Sequence, residues 1–253
     1  IRDRSVSRGL GDVYKRQNQK QAKELVRSRL SDKRYEHTLN VKKMAVRLAK
    51  RYGVDEDKAA LAAFAAENEE EIGFWKFLQY EFSIQWKKLK AYANANNVQI
   101  LGDIPIYVSA DSVDAWVGGK LFELDAEGRF ARVAGCPPDY FSADGQLWGN
   151  PLYNWTYHKQ TGYAWWVQRV RHALGIYDLL RIDHFRGFDE YFSIPYGSET
   201  AAPGHWEKGP GIELFRAVEQ ALGKREIIAE DLGYMSETVR QLVRDLSLIH
   251  ISE

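Results

Sequence analysis

Three apolar runs in this chain end in acidic residues, and each follows a segment with helical spacing. The clearest is Tyr177-Asp178-Leu179-Leu180-Arg181-Ile182-Asp183-His184-Phe185-Arg186-Gly187-Phe188. The others are Val98-Gln99-Ile100-Leu101-Gly102-Asp103 and Ile227-Ile228-Ala229-Glu230-Asp231. Side chains alternate across a strand, so Arg181 and Asp183 point to the same face. Alone, such a pair also fits a structural ion pair at a sheet edge; repetition is what favours a site. Helix, strand and acid, three times over, is the wiring of a parallel α/β protein with its chemistry at the C-terminal ends of the strands.

The 253 residues leave room for one α/β barrel or two smaller domains with a substantial core. With 35 basic and 35 acidic residues, the balanced charge gives no support to a nucleic-acid or anionic-membrane partner. No apolar run approaches the roughly 20 residues of a membrane span, and no signal peptide is recognised at the start. The single cysteine, Cys136, cannot form an internal disulfide, which suits a reducing, cytoplasmic setting. The informative excess is aromatic, with 8 Trp, 14 Tyr and 11 Phe. Those between Asp139 and Trp166 are mixed with Gly, Pro and Asn, as in loops that offer flat platforms to sugars.

Residues 1–16 read as a disordered leader, and 247–253 as a non-native tail; both resemble translated adapter sequence. From 17 to about 66 the pattern is helical, with Gly53 as a closing residue. An acidic run, 67–71, leads into Phe74, Trp75, Phe77, Trp86, Leu89 and Tyr92, spaced as the buried stripe of one long helix. A hairpin about Glu127-Gly128 is expected beyond the first strand. The segment 135–155, with three prolines, reads as a long loop that excludes a central strand. Residues 189–211 read as an irregular insertion or lid that Trp206 lines. Helices are expected at 163–174, 212–222 and 236–244, the last capped by Ser236, with a third strand at 226–229.

Asp183 and Glu230, at the ends of neighbouring parallel strands, would face one cleft. Two carboxyl groups so placed suit glycoside chemistry, one as nucleophile and one as proton donor; a spacing of about 5 to 5.5 Å gives retention. Arg181 should hold Asp183 ionised, whereas the donor needs burial. A Mg²⁺ site built from Asp103, Asp183 and Glu230 is the competing use of the same acids. The aromatic loop favours sugar.

Five motifs between about 67 and 245 resemble the 4-α-glucanotransferases (amylomaltases), relatives of the α-amylases. They are Gly102-Asp103-Ile104-Pro105-Ile106-Tyr107-Val108, Pro137-Pro138-Asp139-Tyr140-Phe141-Ser142, Leu147-Trp148-Gly149-Asn150-Pro151-Leu152-Tyr153, Arg181-Ile182-Asp183-His184-Phe185-Arg186-Gly187-Phe188 and Ala229-Glu230-Asp231-Leu232-Gly233. The resemblance implies an α/β fold: a partial (β/α)8 TIM barrel of three to four βα units, unclosed, preceded by an N-terminal helical segment. It implies Asp183 as nucleophile and Glu230 as acid/base. Arg181, Asp103, His184, Tyr140, Phe141, Trp148 and Asn150 become substrate-binding residues. The implied reaction is transfer of an α-1,4-glucan segment to a sugar 4-hydroxyl through a glucosyl-enzyme ester. Maltooligosaccharide or starch-like glucan is the partner, and no metal or organic cofactor is required. The family's third catalytic acid comes from a later strand, so the isolated chain is expected to be inactive or nearly so.

A second resemblance sits in 17–66. Arg34-Tyr35-Glu36-His37-Thr38-Leu39-Asn40-Val41 resembles the opening of the HD-domain phosphohydrolases, in which His37 would be a metal ligand. The His-Asp pair that should follow is replaced by Ala65-Ala66-Glu67-Asn68, so no di-metal centre is expected. The domain reading is therefore a leader (1–16), an HD-like helical segment (17–66), a partial catalytic barrel (67–246) and a tail (247–253). The alternatives to a transferase are a non-catalytic glucan-binding remnant and a metal phosphohydrolase fragment.

Overall fold

The computed structural model of the protein describes residues 32–53, 56–140, 142–230, 236–246 and 249–251. They fall into two compact units, one within Lys15–Leu89 and one from Lys90 onward. Among the described residues no helix is long and apolar enough to cross a membrane. The leader 1–16 lies outside the described residues.

The first unit is helical: α1 (Asp32–Tyr52), α2 (Glu56–Glu67) and most of α3 (Glu69–Ala95). Ala49 of α1 and Ala60 of α2 are buried, small side chains where the two helices pack. Gly53, at φ +67, ends α1 in the left-handed conformation that glycine adopts without steric cost. His37 Nε2 lies 3.1 Å from Glu67 Oε1, a carboxylate of α2. The long helix α3 forms, but the stripe assigned to it is not buried. Phe74, Trp75, Phe77, Leu89 and Tyr92 are each more than half exposed. Helical spacing puts apolar residues on one face; whether another element covers that face is a tertiary matter.

The second unit holds two open four-stranded sheets. The first is parallel, in the order β1 (Leu101–Pro105), β4 (Leu179–Asp183), β7 (Ile227–Glu230) and β8 (Ile249–Ile251). Parallel strands require crossovers, and helices supply them. Between β1 and β4 lie α4 (Val113–Val117), α5 (Trp155–Gln160) and α6 (Ala164–Ile176); α7 (Ile212–Leu222) precedes β7, and α8 (Glu237–Asp245) follows it. Local chemistry sets their ends. Ser112, Asn154 and Ser236 each accept a backbone N–H in the first turn of α4, α5 and α8, and Gly223 closes α7 at φ +73. Before β4, Asp178 accepts the Ile100 N–H at 2.8 Å and pairs with Lys90 at 3.2 Å, which ties the strand's start to the end of α3. Ile249–Ile251 of the expected tail pairs with β7 as β8.

The second sheet is antiparallel, in the order β3 (Gln146–Pro151), β2 (Arg132–Cys136), β5 (Glu190–Pro195) and β6 (His205–Lys208). It corrects two expectations. The segment 135–155 contributes the end of a central strand, β2, and a whole edge strand, β3. The region 189–211 is largely a hairpin of β5 and β6, not an irregular lid. The proline argument survives in detail: Pro137 and Pro138 follow β2, and Pro151 closes a strand paired on one side only, where no ladder donor is missed. The expected hairpin about Glu127-Gly128 is a tight turn with one bridge, Leu124 to Phe130, organised by Asp125 Oδ1 accepting the N–H groups of Glu127 and Arg129.

Between the sheets and α6 lies an aromatic core. Tyr153 is fully buried, donates its hydroxyl to the Ile106 carbonyl at 2.8 Å, and touches Tyr107, Phe122, Trp165 and Trp166. That bond ties the peptide just after β1 to the core.

Candidate active site

In β4, Leu180 and Ile182 are fully buried in the core, which leaves Leu179, Arg181 and Asp183 on the opposite face. The pairing of β1 with β4 sets Asp103 beside Arg181. The pairing of β4 with β7 ends at Ile182 and Ala229, so Glu230 lies one residue further on, level with Asp183. Three carboxyl groups thus arrive around one guanidinium for reasons of register alone.

Arg181 Nη1 donates to Asp103 Oδ2 at 2.6 Å. Its Nη2 lies 3.4 Å from Asp183 Oδ1 and 3.9 Å from Glu230 Oε1. The Asp183 and Glu230 oxygens can therefore be no farther apart than the sum of those two distances. That bound admits the spacing of about 5 to 5.5 Å of retaining glycosidases and excludes the upper part of the inverting range. The two acids also differ in surroundings, since the Asp183 side chain is 48% exposed and that of Glu230 only 6%. A divalent ion held by these three acids would need the position that the guanidinium occupies, so the arrangement answers the Mg²⁺ alternative against itself. Among the described residues no group of three or more His, Cys, Asp and Glu side chains could hold a metal.

Glu230 Oε2 accepts the His184 backbone N–H at 2.6 Å. His184 has a left-handed backbone, φ 53 and ψ 46, between β4 and the 3₁₀ turn Phe185–Phe188. Its ring meets the edge of Trp148 at 4.8 Å between centroids and tilts against Tyr107 at 6.4 Å. Burial, and secondarily the nearby Arg186 charge, push the imidazole down to about 4, so it is neutral at pH 7. The Trp148 and Tyr107 rings, tilted at 52° with centroids 6.4 Å apart, extend the aromatic wall.

The structure brings Asp103, Arg181, Asp183, His184, Glu230 and Trp148 into linked contacts. Tyr140 is 97% exposed. Phe141 lies outside the described residues. Asn150 spends its side-chain N–H on the Val108 carbonyl at 3.0 Å, tying β3 to the peptide after β1. Tyr107 was not singled out from the sequence, although a tyrosine four residues beyond Asp103 in an apolar run is the signal that marks it. Trp206 stands on β6, edge-on to Phe192 and 4.1 Å from the Arg186 guanidinium, rather than on a lid.

Known proteins carry the same arrangement of sequence. The profile of the family described as 4-alpha-glucanotransferase matches residues 18–252, a span that runs through the N-terminal helices as well as both sheets. A 4-alpha-glucanotransferase of Streptococcus pneumoniae serotype 4 is 52% identical over 184 residues, which cover 73% of this chain and 36% of that protein. One from Clostridium butyricum is 54% identical over 172 residues, 68% of this chain and 35% of that protein. The chain thus spans about a third of the length of these relatives. The amylomaltase of Streptococcus agalactiae, solved in complex with acarbose, superimposes with a TM-score of 0.74 at 41% identity, over 84% of this chain and 45% of that one. Register, charge and sequence agree, and the chain belongs to the 4-alpha-glucanotransferase family.

Proposed function

We propose that this chain carries the nucleophile, the acid/base and donor-sugar contacts of a retaining 4-α-glucanotransferase on part of a (β/α)8 barrel. The observation that carries the proposal is the single Arg181 guanidinium shared by a half-exposed Asp183 and a buried Glu230. Asp183 attacks the anomeric carbon of an α-1,4-linked glucose while Glu230 gives its proton to the departing glycosidic oxygen. A glucosyl ester on Asp183 results. Glu230, now a carboxylate, takes the proton from the 4-hydroxyl of an acceptor sugar as that oxygen displaces Asp183, and the α-1,4 bond is remade with retention. Arg181 orients the nucleophile and keeps it ionised. Asp103, His184 and the Trp148 and Tyr107 rings hold the donor sugar, rings offering apolar faces and the carboxylate accepting from hydroxyls. Maltooligosaccharide or starch-like glucan is the substrate, and a half-buried Cys136 whose thiol is pushed up by burial suits the cytoplasm.

The test joins calorimetry with maltotriose to product analysis on the purified chain. Glucose and maltopentaose appearing from maltotriose, and abolished in Asp183→Asn, support transfer. Binding without products agrees with the near-inactivity expected of the isolated chain, whereas no binding, or products that persist in Asp183→Asn, overturns the proposal. The phosphohydrolase alternative has no support from the family match, which covers the same helices.

A further inference from the structure

Three described residues other than glycine adopt left-handed backbone: Asn97, Tyr163 and His184. Asn97 follows the end of α3 and Tyr163 precedes α6, ordinary places for such a turn. His184 instead sits at the acid pair. There the chain leaves β4, and the His184 carbonyl accepts the Gly187 N–H at 3.0 Å to start the 3₁₀ turn. The ladder between β4 and β7 has already ended at Ile182 and Ala229, so neither sheet nor turn claims the His184 N–H. It is spent on Glu230 Oε2, at 2.6 Å. The other oxygen, Oε1, lies on the side of Arg181 Nη2 and Asp183.

A neutral carboxyl group has one carbonyl oxygen, which accepts well, and one hydroxyl oxygen, which donates. An N–H fixed on Oε2 makes that oxygen the carbonyl and leaves the proton to Oε1, toward Asp183, where the reacting bond would lie. We propose that His184 is a positioning residue for Glu230: its left-handed main chain, independently of its ring, holds the carboxyl so that Oε1 carries and delivers the proton. This deepens the reading of Glu230 as the acid/base and rests on it. Arg181 and Asp183 of β4 face Glu230, and Asp103 of β1 pairs with the same guanidinium.

Labelling the 6 histidines with ¹⁵N gives a small set of amide signals, in which position 184 is identified by its loss in His184→Asn. We expect the His184 amide proton to shift with pH in step with the Glu230 carboxyl carbon, and to lose that step in Glu230→Gln. His184→Gly and His184→Asn, which tolerate the left-handed turn, should keep the Glu230 titration midpoint near that of the parent. His184→Val, which does not, should move the midpoint upward as the N–H leaves the carboxylate. The acid-side limb of the pH profile for maltotriose transfer should move with it. An amide that ignores Glu230, or equal midpoints in the Gly, Asn and Val variants, overturns the proposal. Should His184→Val fail to fold, the amide titration of the parent against Glu230→Gln decides alone. The amide and carboxyl titrations need no sugar, so a chain that neither binds nor transfers glucan would sink the catalytic reading and still answer this one.

Discussion

Arg181 and Asp103 face each other in register across β4 and β1, and the 2.6 Å bond between them fixes the guanidinium that Asp183 and Glu230 share. A planar fork of donors holds three acids in one fixed geometry, which a compact ammonium on a flexible stem does not. Arg181→Lys should therefore weaken maltotriose binding and lower transfer by roughly 100-fold, the usual scale of an ångström's misplacement. Arg181→Met should go further and destabilise the fold by about 3 kcal/mol, because it removes the cation that Asp103, Asp183 and buried Glu230 share. Urea unfolding at pH 7 and pH 4 checks the cause: repulsion between carboxylates predicts a smaller deficit at the lower pH.

His158 is fully buried, with Nε2 3.1 Å from the Leu121 carbonyl and Nδ1 without a hydrogen-bond partner in the structure. Burial pushes its pKa from the ordinary 6.5 down to about 4. In the window between those values the unfolded chain binds a proton that the native ring refuses. Stability contributed by the neutral ring is present above about pH 6.5 and is lost as pH falls toward 4, by about 3 kcal/mol. His158→Gln, which keeps a donor for Leu121, should flatten that part of the stability curve in urea melts from pH 4 to 7. His184 acts in the same direction, so a residual slope is expected.

Glu123 works with the opposite sign. Burial, and then the Glu207 charge, raise its carboxyl to about 6, against the partial relief that Arg132 supplies. Between about pH 4.5 and 6 the native state holds the extra proton, so stability falls as pH rises through the window. The group is only half-buried, and solvent screening reduces the effect to about 1 kcal/mol. Glu123→Gln should raise the urea midpoint at pH 7 and leave it unchanged at pH 4.

Gly135 lies in β2 where a Cβ would come 2.1 Å from the Gln146 carbonyl oxygen of β3. Backbone cannot rotate away as a side chain can. Gly135→Ala should cost about 2 to 3 kcal/mol and loosen β3, which carries Trp148. Thermal unfolding measures the cost, and weaker maltotriose binding by the folded fraction reports the displaced ring.

The parallel core and the acid pair were legible because short-range rules wrote them. Period-two alternation put Arg181 and Asp183 on one face, apolar runs marked β4 and β7, Ser236 marked the start of α8, and the motif strings named the family. The antiparallel sheet was not legible: Gly135, Pro137 and Pro138 punctuate 135–155 as loop residues do, and only pairing with β5 shows β2 to be a central strand. The stripe of α3 has the helical period its spacing predicts but is not buried, since burial depends on what packs there. The sequence by itself determined which acids stand at strand ends and which residues stop each helix, because those depend on alternation and on capping within a few residues. Tertiary structure alone decided that Asp103, Asp183 and Glu230 share one guanidinium and that the His184 N–H turns onto Glu230. Those contacts depend on the register of strands far apart in the chain and on one left-handed turn, and nothing local encodes either.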